Sequence, residues 1–260
     1  MKIATSGKGG VGKTTLASLM AMAYADAGYN VIAIDANPDA NLALALGISP
    51  EEADSITPII ELQDLIYERT GAQPGTIGGS FKLNPEVSDI PDRFSIQRNG
   101  IKLLVMGTVK GPLAGCVCPE SAVLKALLMH LVLRRDEVVI LDMDAGVEHL
   151  GRGTAQGVDA FLIVVEPGQR SLQTARSVKK LAEGLNIHHC YAVGCKTRNE
   201  SERQFIKDNL PGFPILGFLD YNEDIIKADA EGLNVYERVP QAVTSIQEIK
   251  QEMERLLSQK

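Results

Sequence analysis

Residues 7–15 read Gly7-Lys8-Gly9-Gly10-Val11-Gly12-Lys13-Thr14-Thr15 and come just after an apolar run, Ile3-Ala4-Thr5. They match the phosphate-binding loop pattern Gly-x4-Gly-Lys-Thr, at a place where a strand should lead into a helix. Glycines in such a loop let backbone N–H groups surround a polyphosphate, and the positive end of the following helix strengthens the attraction. In this pattern Lys13 reaches the β- and γ-phosphates and Thr14 binds Mg²⁺. The whole stretch is therefore predicted to bind the phosphates of a nucleotide.

Lys8 is a second lysine in this loop, directly after its first glycine. A side chain there is poorly placed for its own nucleotide and well placed to cross a dimer interface to a partner's phosphates. The sequence GKGGVGKTT resembles the deviant Walker A loop of the family that contains the nitrogenase iron protein and the MinD and ParA ATPases. This resemblance implies a SIMIBI-type P-loop NTPase that holds ATP between the two subunits of a homodimer, with Lys8 acting in trans.

Composition limits the class of protein. The chain has 260 residues and 45% hydrophobic content, which is enough for one large α/β domain. Together with the resemblance of the loop, this implies a single P-loop ATPase domain over residues 1–260. The net charge of -7 argues against a chain-wide basic surface for nucleic acid or anionic lipid. The four cysteines are unevenly spaced, as expected of thiols in a reducing compartment. The loop begins too near Met1 for a signal peptide, and no apolar run approaches the roughly 18 residues of a membrane span. We therefore expect a cytoplasmic protein with no nucleic-acid or membrane partner.

Strand and helix patterns alternate along the chain, which is typical of an α/β fold with a doubly wound, mostly parallel sheet flanked by helices. Residues 70–100 are rich in Gly and Pro and are predicted to form a long loop. The last helix lacks the cationic face and large aromatic residues of a membrane-surface helix and is expected to pack on the domain. Strands are predicted at 3–5, 31–34, 101–106, 138–141, 160–165, 190–194 and 213–219, and helices at 15–27, 56–69, 121–133, 171–185 and 241–257, with another beginning near 220–223.

The turn after the second predicted strand reads Asp35-Ala36-Asn37-Pro38-Asp39-Ala40-Asn41. Parallel sheets place ligand chemistry at the carboxyl ends of their strands. By resemblance this turn is switch I, in which a carboxylate positions the attacking water and contacts Mg²⁺. The family usually carries aspartate where this sequence has Asn37, and an amide can neither accept a proton nor balance the charge of a metal. Slow hydrolysis is one expectation, and compensation by Asp35 or Asp39 is the other.

The apolar run Val138-Val139-Ile140-Leu141 ends at Asp142. An acidic residue at the end of an apolar strand is the Walker B arrangement, which predicts that Asp142 holds Mg²⁺ through its water shell. The glycines in residues 146–153 would allow that segment to move when the γ-phosphate is lost, as expected of switch II.

Cys116 and Cys118 occur in Gly115-Cys116-Val117-Cys118-Pro119-Glu120, just before a predicted helix. Two thiols in Cys-x-Cys spacing can chelate one soft or borderline metal, but they fill only half of a tetrahedral site. Pairing across a two-fold axis would supply four sulfur ligands. The motif alone is about equally consistent with two unpaired surface thiols, and its position between a strand and a helix on the presumed dimer face favours metal binding.

A narrower resemblance rests on three stretches taken together. Ile-Asp-Ala-Asn-Pro-Asp, the Cys116/Cys118 pair, and the segment from Asp142 to Thr154 resemble the CooC-type ATPases, including the AcsF branch. The likeness continues through Glu166-Pro167 towards the carboxyl end. It implies a metallochaperone that binds Ni²⁺ through Cys116 and Cys118 and helps to insert nickel into carbon monoxide dehydrogenase or acetyl-CoA synthase. Zn²⁺ is a possible competitor.

Lys196 and Arg198 are predicted to contact the nucleotide, because many relatives carry an Asn-Lys pair at this point that contacts adenine. Cys195 stands where that asparagine would be, so backbone groups are a possible substitute in reading the base. Cys190 and Cys195 are expected to pack as small core residues.

Two other functions fit parts of the sequence. A MinD- or ParA-like positioning ATPase would use ATP binding and hydrolysis to control how long its dimer stays on DNA or membrane. The acidic composition argues against this function. An iron–sulfur redox ATPase could use four thiolates per dimer. Relatives of that kind take one cysteine from switch II, and residues 142–153 contain none.

Overall fold

Strand β1 (Lys2–Gly7), which leads into the glycine-rich loop, lies in the interior of a mixed sheet. The computed structural model describes residues 1–75, 80–107, 118–144, 146, 155 and 157–259. The other strands of the sheet are β2 (Val31–Asp35), β3 (Ile96–Arg98), β4 (Ile101–Val105), β5 (Val138–Asp142), β6 (Ala160–Val165), β7 (Cys190–Thr197) and β8 (Ile215–Asp220).

Within the described residues the sheet has eight strands in the order β3-β4-β2-β5-β1-β6-β7-β8. Every neighbouring pair is parallel except β3 and β4, which form an antiparallel edge. Helices connect β1 to β2, β4 to β5, β6 to β7 and β7 to β8. The predicted doubly wound, mostly parallel sheet is confirmed, and it places the carboxyl ends of β1, β2 and β5 side by side.

Helices cover both faces of the sheet. Where the chain is described, the α-helices with both ends defined are α1 (Lys13–Asp26), α2 (Leu42–Ala45), α3 (Pro50–Asp54), α4 (Gln63–Thr70), α5 (Ile90–Phe94), α6 (Pro119–Arg134), α7 (Gln169–Gly184), α8 (Glu200–Asn209), α9 (Glu223–Ala230), α10 (Val235–Arg238) and α11 (Pro240–Ser258).

Two apolar cores lie on opposite faces of the sheet, because successive strand residues point to opposite sides. Along β2, Ala33 belongs to the core that contains the buried sides of α1 and α11. Ile32 and Ile34 belong to the core that contains those of α6 and α7. With both faces covered, a strand must be apolar throughout, which is why the strands appear in the sequence as continuous apolar runs.

The predicted helix at 56–69 is wrong as a single element. The structure has a 3₁₀ turn (Ile59–Glu61) followed by α4, and Leu62 between them has a ψ of 79°, outside the helical range. The apolar spacing that suggested one helix continues across this break, so periodicity alone could not reveal it.

The predicted loop at 70–100 is also wrong in part, because it contains α5 and β3. Pro91 lies in the first turn of α5, where a missing N–H costs no hydrogen bond. Gln97 and Arg98 are exposed on the edge strand, so β3 has no apolar run to mark it. Short polar edge elements of this kind carry little sequence signal.

Several predicted boundaries extend in the structure. Strand β7 was predicted to end at 194 and continues to Thr197, with a register shift between Cys195 and Thr197 and a φ of 58° at Lys196.

The terminal helix α11 packs on the domain as predicted, with Ile246 and Met253 buried. In the part of the chain that is described, no helix combines the length and apolarity needed to cross a membrane.

Candidate nucleotide-binding site

The glycine-rich loop joins β1 to α1 through backbone conformations that require glycine. Gly7 has a φ of 151°, and a Cβ there would lie 2.5 Å from the carbonyl oxygen of Val164 on β6. Gly12 has a φ of 102° and precedes the first turn of α1, where no side chain caps the helix. A Cβ built on Gly9 or Gly10 would meet nothing within 4 Å. The open loop and the uncapped helix N–H groups therefore fit a bound polyphosphate.

Lys13 lies within the curve of this loop. It is 8% exposed, and its Nζ atom donates to the carbonyl oxygen of Lys8 at 3.4 Å. Oδ1 of Asp144 lies 3.9 Å from the same Nζ atom. This buried cation can move from these oxygens to a phosphate, because its side chain is the flexible part of the contact.

Thr14 and Asp142 meet at the carboxyl end of β5. The Thr14 hydroxyl donates to Oδ2 of Asp142 at 2.7 Å, and the Thr5 hydroxyl donates to Oδ1 at 3.2 Å. The pKa of Asp142 is raised to about 7, mainly by burial and also by the neighbouring Asp35 charge, although the threonine hydrogen bonds and Lys13 act to lower it. A hydroxyl and a carboxylate are hard oxygen ligands, so this pair fits Mg²⁺.

The switch I turn is organised around Asp35, whose side chain is fully buried. Its Oδ1 atom accepts the backbone N–H of Asn37 at 3.0 Å, and its Oδ2 atom accepts that of Leu42 at 2.8 Å. Burial raises the pKa of Asp35 despite these hydrogen bonds, which act to lower it. Both oxygens are therefore engaged in shaping the turn, whereas Asp39 is exposed.

Asn37 is 8% exposed and contacts both acidic residues of the site. Its Nδ2 atom lies 3.5 Å from Oδ1 of Asp35 and donates to the backbone carbonyl oxygen of Asp142 at 3.3 Å. The amide thus places a neutral donor between two buried acidic positions. A carboxylate there would replace a favourable contact by charge repulsion.

Lys8 forms an ion pair within its own chain. Its Nζ atom lies 3.1 Å from Oε1 of Glu166, which follows β6, and both side chains are partly exposed. Sequence spacing gave no indication of this partner, which lies 158 positions away. A role in trans would require Lys8 to leave Glu166.

The end of β7 contacts the loop from the side predicted to hold the base. Lys196 donates from Nζ to the carbonyl oxygen of Gly10 at 2.5 Å, so this predicted nucleotide residue does reach the loop. Arg198 instead lies over the ring of Tyr221, 5.2 Å from its centroid. Cys195 is 1% exposed, and burial raises the pKa of its thiol to about 12, which agrees with the predicted core role.

The predicted metal site is described only at Cys118. Its thiol is 2% exposed, and Sγ lies 3.2 Å from the Ser121 hydroxyl in the first turn of α6. Cys116 lies outside the described residues. Among the residues that are described, no group of three or more His, Cys, Asp or Glu side chains is arranged to hold a metal ion. Four-sulfur pairing across a dimer therefore stays a prediction.

Comparison with known proteins places this geometry in a family. Residues 2–235 match the CobQ/CobB/MinD/ParA nucleotide binding domain. The carbon monoxide dehydrogenase accessory protein CooC of Rhodospirillum rubrum is 47% identical over 240 residues, covering 92% of this chain and 91% of that protein. An uncharacterized ATP-binding protein of Methanocaldococcus jannaschii is 48% identical over 235 residues, covering 89% and 90%.

Solved structures show the same fold. The MinC:MinD cell division protein complex of Aquifex aeolicus superposes with a TM-score of 0.69 at 19% identity, covering 99% of this chain and 95% of that chain. A ParA family ATPase from Chlorobium tepidum gives a TM-score of 0.68 at 17% identity, covering 97% and 98%. At these identities the likeness extends to the fold alone. The match over residues 2–235 goes further, and the chain belongs to the CobQ/CobB/MinD/ParA nucleotide-binding domain family.

Proposed function

We propose that this chain is a homodimeric ATPase that binds Ni²⁺ as cargo and helps to insert it into carbon monoxide dehydrogenase or acetyl-CoA synthase. The observation that carries the proposal is the 47% identity to CooC, a carbon monoxide dehydrogenase accessory protein, over more than nine-tenths of both chains. The sequence is compatible with a single domain over residues 1–260 and with a cytoplasmic location.

ATP is the proposed nucleotide. The loop residues 7–15 would surround its phosphates, with Lys13 near the β- and γ-phosphates and Lys196 supporting the loop at Gly10. When bound, Mg²⁺ would screen the phosphate charge beside Thr14 and Asp142. Arg198 is the proposed contact on the base side, where its guanidinium and the Tyr221 ring present flat surfaces.

Hydrolysis is proposed to be slow. The carboxylate of Asp35 is engaged by backbone N–H groups, so it is poorly placed to orient water. Asn37 holds its amide against Asp35 and Asp142 and cannot act as a base. Asp39 is the exposed carboxylate of the turn and is the remaining candidate for that role.

Nickel is proposed to bind at Cys116 and Cys118. Cys118 directly precedes a long helix, and a metal would bind its sulfur as the thiolate. The Ser121 hydroxyl beside Sγ can donate a hydrogen bond to that thiolate. Two such pairs in a dimer would give a four-sulfur site for Ni²⁺, for which Zn²⁺ would compete.

Coupling between the two sites would be conformational. ATP would bring two subunits together, Lys8 would exchange Glu166 for the partner's phosphates, and the four thiols would converge. Loss of the γ-phosphate would loosen the dimer and release the metal to the client enzyme.

The test is an anaerobic Ni²⁺ titration with and without MgATP, following the sulfur-to-metal charge-transfer band while light scattering reports the size of the protein. We expect one Ni²⁺ per dimer in the wild type and none in the Cys116→Ala, Cys118→Ala variant. Cys190→Ala is the matched control, because its buried thiol lies at the start of β7 and should leave binding unchanged. Dimerisation by MgATP without stoichiometric metal would refute the nickel role and favour a positioning ATPase.

A further inference from the structure

Ser6 connects the strand before the phosphate loop to the segment that follows β5. Its side chain is fully buried at the carboxyl end of β1. The hydroxyl lies 3.0 Å from the backbone carbonyl oxygen of Asp144 and 2.9 Å from that of Gly146. It also accepts the backbone N–H of Gly146 at 3.0 Å. One side chain thus contacts three backbone groups that are 138 to 140 positions away.

A serine hydroxyl has one proton and two lone pairs. It can therefore donate to only one of the two carbonyl oxygens at a time while it accepts the Gly146 N–H. Both carbonyl oxygens lie within hydrogen-bond distance of the Ser6 hydroxyl. Rotation of the hydroxyl can therefore exchange one acceptor for the other while the buried Ser6 oxygen keeps a hydrogen bond. Gly146 has a φ of 150°, a conformation that favours glycine, so its backbone is free of the steric limits imposed by a Cβ.

The serine itself stands on a fixed support. Thr5 pairs with Asp142 on β5, and Gly7 pairs with Val164 on β6, so β1 is held on both sides at this level. The close approach of Gly7 to the Val164 carbonyl leaves little room for β1 to shift. Any displacement between Ser6 and its backbone partners must therefore occur at Asp144 and Gly146.

The same segment is linked to the proposed phosphate site by charge. Oδ1 of Asp144 lies 3.9 Å from Nζ of Lys13, which is the proposed phosphate ligand. A polyphosphate competes for that cation, because it carries more negative charge than one carboxylate. Binding of nucleotide would then weaken the attraction on the Asp144 side chain while Ser6 still holds the Asp144 backbone.

From these contacts we infer that Ser6 is a positioning residue for hydrolysis, whose hydroxyl keeps the backbone of Asp144 and Gly146 in register with the phosphate loop while Lys13 changes partner. The inference rests on the proposed ATPase function. It adds a residue that contacts neither nucleotide nor metal and acts through the backbone beside them.

Steady-state hydrolysis by Ser6→Ala tests this role. We expect kcat to fall about tenfold, which corresponds to about 1.4 kcal/mol, while KM for MgATP stays within about threefold of the wild type, because the direct phosphate contacts remain. Ser18→Ala is the matched control, since Ser18 is also buried and donates to a local backbone carbonyl, that of Thr15 in α1. It should leave both constants near the wild-type values.

Hydrogen exchange distinguishes positioning from a general loss of stability. In folded Ser6→Ala, exchange should accelerate at the Gly146 amide and remain unchanged in β6 and β7. Faster exchange throughout the sheet, or a kcat equal to that of Ser18→Ala, would overturn the inference. If Ser6→Ala does not fold, Ser6→Cys is the second variant: its weaker donor should lower kcat by less than about tenfold while KM for MgATP stays within about threefold, and an unchanged kcat would overturn the inference.

The proposed ATPase function and the role of Ser6 can be contradicted independently of each other. A wild-type protein that neither binds nor hydrolyses MgATP contradicts the proposed function itself. A wild-type protein that hydrolyses MgATP together with a Ser6→Ala variant of unchanged kcat leaves the proposed function intact and eliminates the role of Ser6.

Discussion

Replacing Asn37 with aspartate introduces the carboxylate that the family usually carries in switch I, into a site already containing two buried acidic residues. Asp35 and Asp142 are both fully buried, and Asn37 contacts each of them through its amide nitrogen. We expect Asn37→Asp to be less stable than the wild type without Mg²⁺ and to hydrolyse ATP faster with it. Both effects follow from exchanging a neutral donor for a charged acceptor.

The stability cost can be worked from one distance. Nδ2 of Asn37 lies 3.5 Å from Oδ1 of Asp35, so an ionised carboxylate would stand about equally close. Two unit charges at that separation repel by about 5 kcal/mol at an effective dielectric constant of about 20. Keeping one carboxyl protonated at about pH 7.5 would cost a similar amount, about 1.4 kcal/mol for each pH unit above its ordinary pKa.

Relaxation of the exposed part of the turn reduces both the charge repulsion and the cost of protonation. We therefore expect the free energy of unfolding to fall by about 2–4 kcal/mol. This corresponds to a drop in Tm of about 4–16 °C for a protein of this size. Saturating MgATP should recover most of the loss, because Mg²⁺ balances the added charge. In the catalytic assay, a positioned general base is expected to raise kcat by about 10²-fold.

Differential scanning calorimetry in EDTA and in MgATP measures the first effect, and phosphate release measures the second. Asn41→Asp is the matched control, because Asn41 is exposed in the same turn and adds the same charge outside the buried cluster. A Tm in EDTA equal to that of Asn41→Asp, together with unchanged phosphate release, would refute the electrostatic reasoning.

Three further predictions concern residues around the loop. Lys8→Ala should keep nucleotide affinity within about threefold of the wild type, since the Lys8 side chain contacts Glu166 rather than the loop interior. It should abolish the ATP-dependent dimers that light scattering detects. A variant that still dimerises contradicts the trans role. Lys196→Met should weaken nucleotide binding by about tenfold in a fluorescence titration, because the Gly10 carbonyl loses its charged donor. Unchanged affinity would show that this contact does not support the loop. Burial raises the pKa of the Cys195 thiol to about 12. The thiol should therefore stay protonated at about pH 8 and resist iodoacetamide until the protein is unfolded. Rapid alkylation of the native protein would contradict its burial.

The local sequence was sufficient to predict the centre of the fold. The run at β1, the glycine-rich loop and the pattern of α1 are adjacent in the chain, so their order already specifies a strand, a phosphate loop and a helix. Asp35 and Asp142 were also identifiable, because each ends a continuous apolar run of a strand buried on both faces. Elements without that signal, such as the edge strand β3 and the Pro91-containing α5, were missed.

What each polar side chain contacts was decided only by the tertiary structure. The sequence offered Asp35 as one replacement for the missing switch carboxylate, but both of its oxygens accept hydrogen bonds from the backbone of its own turn. Lys8 meets Glu166, and Ser6 meets Gly146, because the sheet places β1 between β5 and β6. Sequence periodicity reports which residues share a face or a strand end, whereas the contacts of Lys8 and Ser6 join segments more than a hundred positions apart and depend on the order in which the strands assemble.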